Sequence, residues 1–229
     1  MSVKRYQEFL EEIKDLLESD PHALELLTTL EDKIKKIPKD KLSQLKNKKN
    51  GNKNKKNFSK DFSIPLELEN CQDSESLAFF CDGACRGNPG PGAWAAMAQN
   101  KKGEVIYEAS GTEFNTTNNR MELMAAIFCL HAVSNFEEEN DWTSPPHIFV
   151  YSDSRYVVDG LENWVKSWKS RGWKKADNRP PENIDLWKEL DQLKESIPNV
   201  KFIWVKGHDG HPQNEYVDYL ANMALDEAK

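Results

Sequence analysis

Short apolar runs alternate with turn-forming segments in the chain from residue 77 onward. Runs of four to eight apolar residues, bounded by glycine, proline or polar residues, are typical of strands in a buried sheet. Two of the runs flank the polar segment Asn100–Gly103 and predict a hairpin. The pattern predicts five strands, at Leu77–Cys81, Ala93–Ala98, Val105–Ala109, Ile148–Tyr151 and Val200–Val205.

Longer segments with helical spacing separate the later strands. Hairpin strands first, followed by alternating helices and strands, imply an α/β domain with one mixed sheet and helices packed on it. The Gly- and Pro-rich segment Asp82–Gly92 is predicted as a turn. The predicted helices are Asn118–Ser134, 155–170, 183–196 and Pro212–Glu227.

The first 76 residues follow a different pattern. Apolar residues at three- and four-residue spacing predict a helix over 3–18, and a second one follows Pro21. We interpret residues 1–38 as an amphipathic helical hairpin, which buries too little surface alone and needs a protein partner or self-association. Residues 39–76 are predicted to be a lysine-rich flexible linker, and 77–229 the folded domain.

Charge is unevenly distributed along the chain. Residues 1–76 carry 15 basic and 15 acidic side chains, and the remainder accounts for the whole net charge of −7. Between Lys33 and Lys60 there are twelve lysines and one acid, Asp40. Such a run attracts polyanions, most often nucleic acid, although a solvated spacer is the alternative.

Several features bear on the location of the protein. The chain lacks an apolar run near 18 residues, and its N-terminus lacks a signal core. Its four cysteines have no zinc-finger spacing, so we expect free thiols in a reducing compartment. We expect a cytoplasmic protein; because lysine runs also serve as nuclear signals, a nuclear location stays open.

Four acidic residues lie near the ends of predicted elements: Asp82, Glu122, Asp153 and Asp218. Each has a structural alternative as a turn, cap or surface residue. Carboxylates that follow neighbouring strands meet at the sheet edge where open α/β sheets bind ligands. Several cannot all be ionised there without cations, and carboxylate oxygens suit Mg²⁺ or Mn²⁺.

Longer motifs surround these acids, and they resemble type 1 ribonuclease H. The motifs occur in the family's order across nearly all of 77–229, and the resemblance does not extend to residues 1–76. They are Asp82-Gly-Ala-Cys-Arg-Gly-Asn-Pro-Gly-Pro-Gly92, Thr116-Thr-Asn-Asn-Arg-Met-Glu-Leu-Met-Ala-Ala126, Tyr151-Ser-Asp-Ser154, Trp168-Lys-Ser-Arg-Gly-Trp-Lys-Lys-Ala-Asp177 and Val205-Lys-Gly-His-Asp-Gly-His-Pro-Gln-Asn-Glu215.

The resemblance implies a ribonuclease H-like fold, with a five-stranded mixed sheet flanked by helices. It implies a metal-dependent endonuclease that hydrolyses the RNA strand of RNA/DNA hybrids, leaving a 5′-phosphate and a 3′-hydroxyl. Two Mg²⁺ ions, or Mn²⁺ in their place, would do this chemistry. The family's catalytic, metal-binding carboxylates correspond to Asp82, Glu122, Asp153 and Asp218. His208 corresponds to its mobile histidine, which assists proton transfer or product release.

The resemblance also implies a set of substrate contacts. Asparagine can both donate to and accept from the 2′-hydroxyl that distinguishes RNA from DNA, but it also favours turns and caps. Many members have Arg where this chain has Asn115, which puts a strong phosphate pocket in doubt. The tryptophans of the basic segment 164–179 are open to a core or a binding role. The implied hybrid-binding residues are Asn88, Thr117, Asn118, Asn119, Trp168, Lys174, Lys175 and Asn183.

The alternatives are a catalytically silent binding module and another enzyme of the same fold. A catalytically silent hybrid-binding module would lack a core carboxylate, and none is lost. Another nuclease or a strand-transfer enzyme of the same fold would lack the Thr-Thr-Asn-Asn-Arg-Met-Glu motif and the Trp-rich segment.

Overall fold

The structure is a computed structural model that describes residues 60–139, 142 and 144–228. The predicted helical hairpin of residues 1–38 and the first part of the predicted linker, up to residue 59, lie outside the described residues.

A five-stranded mixed sheet organises the described residues, as predicted. The strand order is β3-β2-β1-β4-β5. The β1–β2 and β2–β3 pairs are antiparallel, whereas β4 pairs in parallel with β1 and β5. The strands are β1 (Leu77–Cys85), β2 (Gly90–Gln99), β3 (Val105–Thr116), β4 (Ile148–Ser152) and β5 (Val200–Trp204).

Helices cover both faces of this sheet. The long helix α2 packs on one face with α4 and α5, around a core that includes Phe79, Leu130 and Trp187. The last helix, α6, packs on the other face, where Met97 and Val217 are buried. The helices are α1 (Leu66–Asn70), α2 (Asn118–Glu139), α3 (Arg155–Asp159), α4 (Val165–Ser170), α5 (Ile184–Ser196) and α6 (Pro212–Glu227), with a π-helical turn at Gly160–Trp164 between α3 and α4.

The first two strands extend into the segment that the sequence predicts as a turn. The ladder between β1 and β2 continues from Asp82, opposite Ala95, to Cys85, opposite Gly92. Asp82 therefore lies inside β1 rather than at its end. The glycines misled the prediction because one of them, Gly83, serves a close approach between a strand and a helix rather than a turn.

The folded domain also begins earlier than the predicted boundary at residue 77. Residues 60–76 were predicted to belong to the flexible linker, but this prediction is wrong for that part of the segment. Phe62 and Leu68 are 6% and 0% exposed and belong to the core that α6 covers. Burying these side chains offsets the entropy of ordering the segment, so it folds as part of the domain.

Cys71, Cys81, Cys85 and Cys129 are free thiols, as predicted. In the described part of the chain, none of the helices has the length and apolar content needed to cross a membrane.

Candidate active site

Three of the four predicted carboxylates meet where β4 ends beside β1, in the middle of the sheet. Asp82, Glu122 and Asp153 each contribute one oxygen to a cluster whose atoms lie within 4.8 Å of one another. Cys81 pairs with Ser152 in the parallel β1–β4 ladder. Asp82 follows Cys81, and Asp153 follows Ser152. Neighbouring parallel strands thus bring Asp82 and Asp153 side by side, as the sequence predicts.

Glycine lets the third carboxylate join them. A Cβ atom on Gly83 would lie 2.4 Å from the backbone nitrogen of Glu122. Only a residue without a side chain permits this approach, which brings the second turn of α2 against β1. A Cβ atom on Gly207 would similarly lie 2.5 Å from Oδ2 of Asp153, so the loop after β5 also approaches the cluster closely.

Neighbouring donors fix the carboxylates of Asp82 and Glu122. The Gly83 amide donates to Oδ1 of Asp82 at 2.8 Å. The Asn118 side-chain Nδ2 donates to Oε1 of Glu122 at 3.2 Å. These bonds leave the second oxygen of Glu122, Oε2, buried and without a hydrogen-bond partner among the described residues.

Asp153 is held by two side chains that the sequence analysis did not single out. The Asn214 Nδ2 donates to Oδ2 of Asp153 at 3.0 Å, and the Trp204 indole Nε1 donates to its backbone oxygen at 3.0 Å. Asn214 and Gln213 are each 2% exposed at the start of α6. Gln213 lies on the same helical stripe as Val217, and this polar residue in an apolar stripe is the signal that could have found the pair.

The electrostatics of the cluster favour a bound cation. Burial raises the pKa of Asp82 well above its usual value, and the charges of Asp153 and Asp218 raise it further. Burial likewise raises the pKa of Glu122 well above its usual value, with Asp82 and Asp153 adding to the effect. Hard oxygen donors that are crowded, buried and short of hydrogen-bond donors fit a divalent cation such as Mg²⁺.

Asp218 lies beside this cluster rather than within the group of three. It is half-buried on α6, and the Asn222 Nδ2 donates to its Oδ1 at 2.9 Å. Its influence on the pKa of Asp82 shows that its charge is felt at the cluster.

His208 is exposed in the loop between β5 and α6. Its backbone φ is +52°, in the left-handed region, and Gly207 and Gly210 flank it. The loop therefore presents the imidazole to solvent near the strand end that carries Asp153.

Four of the predicted hybrid contacts lie around the start of α2: Asn88, Thr117, Asn118 and Asn119. The backbone amide of Asn118 donates to Oδ1 of Asn88 at 3.3 Å, so these two residues are brought together. Asn119 is exposed, and Thr117 caps the helix by accepting a bond from the Arg120 amide at 3.3 Å. Asn118 therefore connects the predicted substrate surface to a predicted metal ligand.

The predicted contacts of the basic segment are divided between core and surface. Trp168 is 9% exposed and its ring lies edge-on to Trp187 at 5.5 Å, which favours the core interpretation for this residue. Lys174 is exposed and Lys175 half-buried, and neither makes an ion pair within the described part of the chain. Asn183 precedes α5 with a φ of +55° and donates to the Tyr156 hydroxyl at 3.4 Å.

Comparisons with known proteins fit this α/β fold and its carboxylate site. The RNase H family model matches residues 74–226. Ribonuclease H of Agrobacterium fabrum is 47% identical over 150 residues, which are 66% of this chain and 94% of that protein. Ribonuclease H of Novosphingobium aromaticivorans is 48% identical over 149 residues, 65% of this chain and 95% of that protein.

Solved structures give the same result. LC9-RNase H1, described as a type 1 RNase H with the type 2 active-site motif, is 31% identical with a TM-score of 0.58, over 73% of this chain and 76% of that one. LC11-RNase H1, solved in complex with an RNA/DNA hybrid, is 25% identical with a TM-score of 0.51, over 66% of this chain and 98% of that one. The fold and site define a nuclease-type α/β domain. The chain belongs to the ribonuclease H family, as its motifs predict.

Proposed function

We propose that this enzyme hydrolyses the RNA strand of RNA/DNA hybrids by a two-metal-ion mechanism and leaves a 5′-phosphate and a 3′-hydroxyl. The observation that carries the proposal is the cluster of Asp82, Glu122 and Asp153. A relative at 25% identity that was solved with an RNA/DNA hybrid supports the choice of substrate.

The metal ligands in this proposal are Asp82, Glu122, Asp153 and Asp218. Mg²⁺ is the expected ion and Mn²⁺ its substitute, because both prefer carboxylate oxygens. When bound, such ions lower the pKa of a water and neutralise charge on the phosphate. Asp82 lies on β1, the central strand of the sheet, so we assign it the bridging position.

The residues around the cluster bind and orient the RNA strand. Asn88, Asn118 and Asn119 carry amides that can read a 2′-hydroxyl. One amide hydrogen of Asn118 is directed to Glu122 at 3.2 Å. Its oxygen and second hydrogen stay available for a ribose. A sugar bound there would lie one side chain away from the carboxylates, which couples recognition of RNA to the position of the reacting phosphate.

We assign His208 the role of moving a proton rather than of holding the substrate. Its exposure on a Gly-flanked loop lets the imidazole approach and leave the cleaved bond. Its imidazole would accept a proton from the attacking water or assist release of the product.

The basic segment, Thr117 and Asn183 would supply contacts to the DNA strand. Lys174 and Lys175 would meet phosphates as point charges, and Thr117 and Asn183 would add hydrogen bonds. Trp168 would contribute to hybrid binding only indirectly, by supporting the basic segment 164–179, because its side chain is buried.

The test is a cleavage assay on end-labelled substrates of one sequence. RNA/DNA hybrid, double-stranded RNA and double-stranded DNA are compared, each with Mg²⁺ and with EDTA. We expect Mg²⁺-dependent cuts in the RNA of the hybrid alone, with product RNA that a 5′-phosphate-dependent exonuclease degrades. Equal cleavage of double-stranded RNA, or products with a 5′-hydroxyl, would contradict the proposal.

A further inference from the structure

A segment that precedes the residues matched by the family model is built into the domain. We define the strap as residues 60–70; the family match starts at residue 74. Phe62 and Leu68 of the strap are buried against the sheet face that α6 also covers. The Phe62 ring lies 5.4 Å from that of Tyr216 on α6.

Two buried amide side chains join the strap to the start of α6. The Gln213 Nε2 donates to the backbone oxygen of Ser63 at 2.6 Å and to Oε1 of Gln99 at 3.2 Å. Gln99 is fully buried, and its Nε2 donates to the backbone oxygen of Phe62 at 3.1 Å. Because unpaired polar groups in such a place are costly, this network allows one position of the helix start relative to the strap.

The residue next to Gln213 reaches the carboxylate cluster. Asn214 donates to Oδ2 of Asp153 at 3.0 Å, and its own Oδ1 is buried without a hydrogen-bond partner among the described residues. Asp218 lies one turn further along the same helix. A displacement of the first turn of α6 would therefore move Asn214, the donor to Asp153, together with the backbone of Asp218. Both aspartates are proposed metal ligands.

A second connection runs from the strap through β4. The Tyr151 hydroxyl donates to Oε2 of Glu67 at 2.7 Å. Tyr151 precedes Asp153 by two residues, and its ring stacks on that of Phe80 at 4.7 Å and 11°. Phe80 in turn precedes Asp82 by two residues. The strap thus contacts α6, which carries Asp218, and β4, which ends one residue before Asp153. It reaches β1, which carries Asp82, through the ring of Tyr151.

We propose that the strap is a positioning element of the metal site, and that Gln213 is the positioning residue through which it acts on Asn214 and Asp153. This inference rests on the proposed assignment of Asp153 and Asp218 as metal ligands. The alternative is that the strap only covers an apolar face. Partners in the outer shell of a metal site tune affinity for the ion, whereas a cover contributes stability alone.

The experiment compares two variants of the full-length protein that both weaken the strap. Gln213→Met keeps the length of the side chain but removes its hydrogen bonds. Leu68→Ala removes buried apolar contacts without touching the network. Mg²⁺ binding is measured by calorimetry at a temperature where circular dichroism shows all proteins folded. We expect Gln213→Met to weaken Mg²⁺ binding about three- to tenfold, somewhat less than loss of a direct outer-shell partner.

Leu68→Ala is the matched control. We expect it to lower the unfolding midpoint at least as much as Gln213→Met, while Mg²⁺ affinity stays within about twofold of wild type. If Gln213→Met does not fold, Tyr151→Phe removes only the hydroxyl of the second connection and is expected to weaken Mg²⁺ binding about twofold or more. Unchanged affinity in the folded variants would overturn the inference and leave the strap as a cover.

The same measurements separate this inference from the proposed function. Asp82→Asn identifies the binding that belongs to the cluster. Asp82-dependent Mg²⁺ binding that weakens in Gln213→Met, in a protein that does not cut hybrids, would support the inference and contradict the function. Mg²⁺ binding that does not depend on Asp82 would overturn the ligand assignment and the inference with it.

Discussion

Replacement of Asp82 by asparagine is expected to stabilise the metal-free protein while destroying its activity. The unfolded chain ionises this carboxyl near pH 3.9. In the folded protein burial and the charges of Asp153 and Asp218 hold its pKa well above that value. Between the two pKa values the folded state binds a proton that the unfolded state has lost, so stability falls as pH rises. Each unit of difference is worth about 1.4 kcal/mol.

Asparagine removes this cost and keeps the shape of the side chain. Its Oδ1 can still accept the 2.8 Å hydrogen bond from the Gly83 amide. At pH 7 in EDTA we therefore expect Asp82→Asn to be more stable than wild type, because the variant has no buried ionisable group at this position. The difference should shrink as pH falls and vanish below about pH 3, where the carboxyl is protonated in both the folded and the unfolded wild type.

Divalent metal should shift the difference in stability toward wild type. An ion at a hundred times its dissociation constant stabilises the wild type by about 2.7 kcal/mol, and the variant lacks the proposed bridging ligand. Loss of several kcal/mol of transition-state stabilisation corresponds to a fall in turnover of more than about a hundredfold. Binding of the hybrid should be retained.

Urea denaturation in EDTA and in Mg²⁺, together with hybrid cleavage, checks this reasoning. Asp209→Asn is the control, because it removes a negative charge from an exposed acid that pairs with Lys206. It should change neither stability in EDTA by more than about 0.5 kcal/mol nor turnover. An Asp82→Asn protein less stable than wild type in EDTA would refute the electrostatic argument, and turnover within tenfold of wild type would refute the metal assignment.

Three further changes test other parts of the chain. His208→Ala should slow turnover at saturating hybrid about a hundredfold, and a loss as complete as that of Asp82→Asn would make the histidine essential rather than auxiliary. A chain that begins at Lys60 should bind hybrids more weakly than the full chain, with a shallower dependence of affinity on salt and nearly unchanged kcat, because it lacks the lysine run; equal affinity and slope would make that run a spacer. Leu68→Ala should lower the free energy of unfolding in urea by about 2–5 kcal/mol, against about 0.5 kcal/mol or less for the exposed Leu66→Ala, and equal effects would contradict the burial of the strap.

The sheet and the carboxylate cluster could be predicted because their signals are local and long. Contiguous apolar runs mark β1, β2 and β4, and Asp82 and Glu122 each lie in a motif of eleven residues. Asp153 lies in the shorter motif Tyr151–Ser154, directly after one of those runs. The strap could not be predicted in this way. Its apolar residues lie within the short segment Phe62–Leu68, which proline interrupts, and α1 has only five residues. Periodicity needs a longer window, and the burial of these side chains depends on a partner face built by Tyr216 and Val217, far along the chain.

The residues that hold the site together escaped sequence reasoning for a related physical reason. Asn214 and Gln213 look like polar residues at the start of a surface helix, where their side chains would meet water. Their burial follows from the sheet edge and the strap, which are remote in sequence. In these buried positions Asn214 donates to Asp153 and Gln213 donates to the strap. Recognition of the family identifies the acids, but their supporting partners emerge only from tertiary packing.

The chemistry of the site also opposes folding. Buried carboxylates that repel one another, and an oxygen of Glu122 without a hydrogen-bond partner among the described residues, all oppose folding in the absence of a cation. Close approaches at Gly83 and Gly207 keep these groups together although they would separate in water. A cation that binds only the folded arrangement offsets this cost, because its binding stabilises the folded state by mass action. The same repulsion that weakens the metal-free fold therefore supplies the affinity for the metal, which is why the strap and α6 must hold the acids against it.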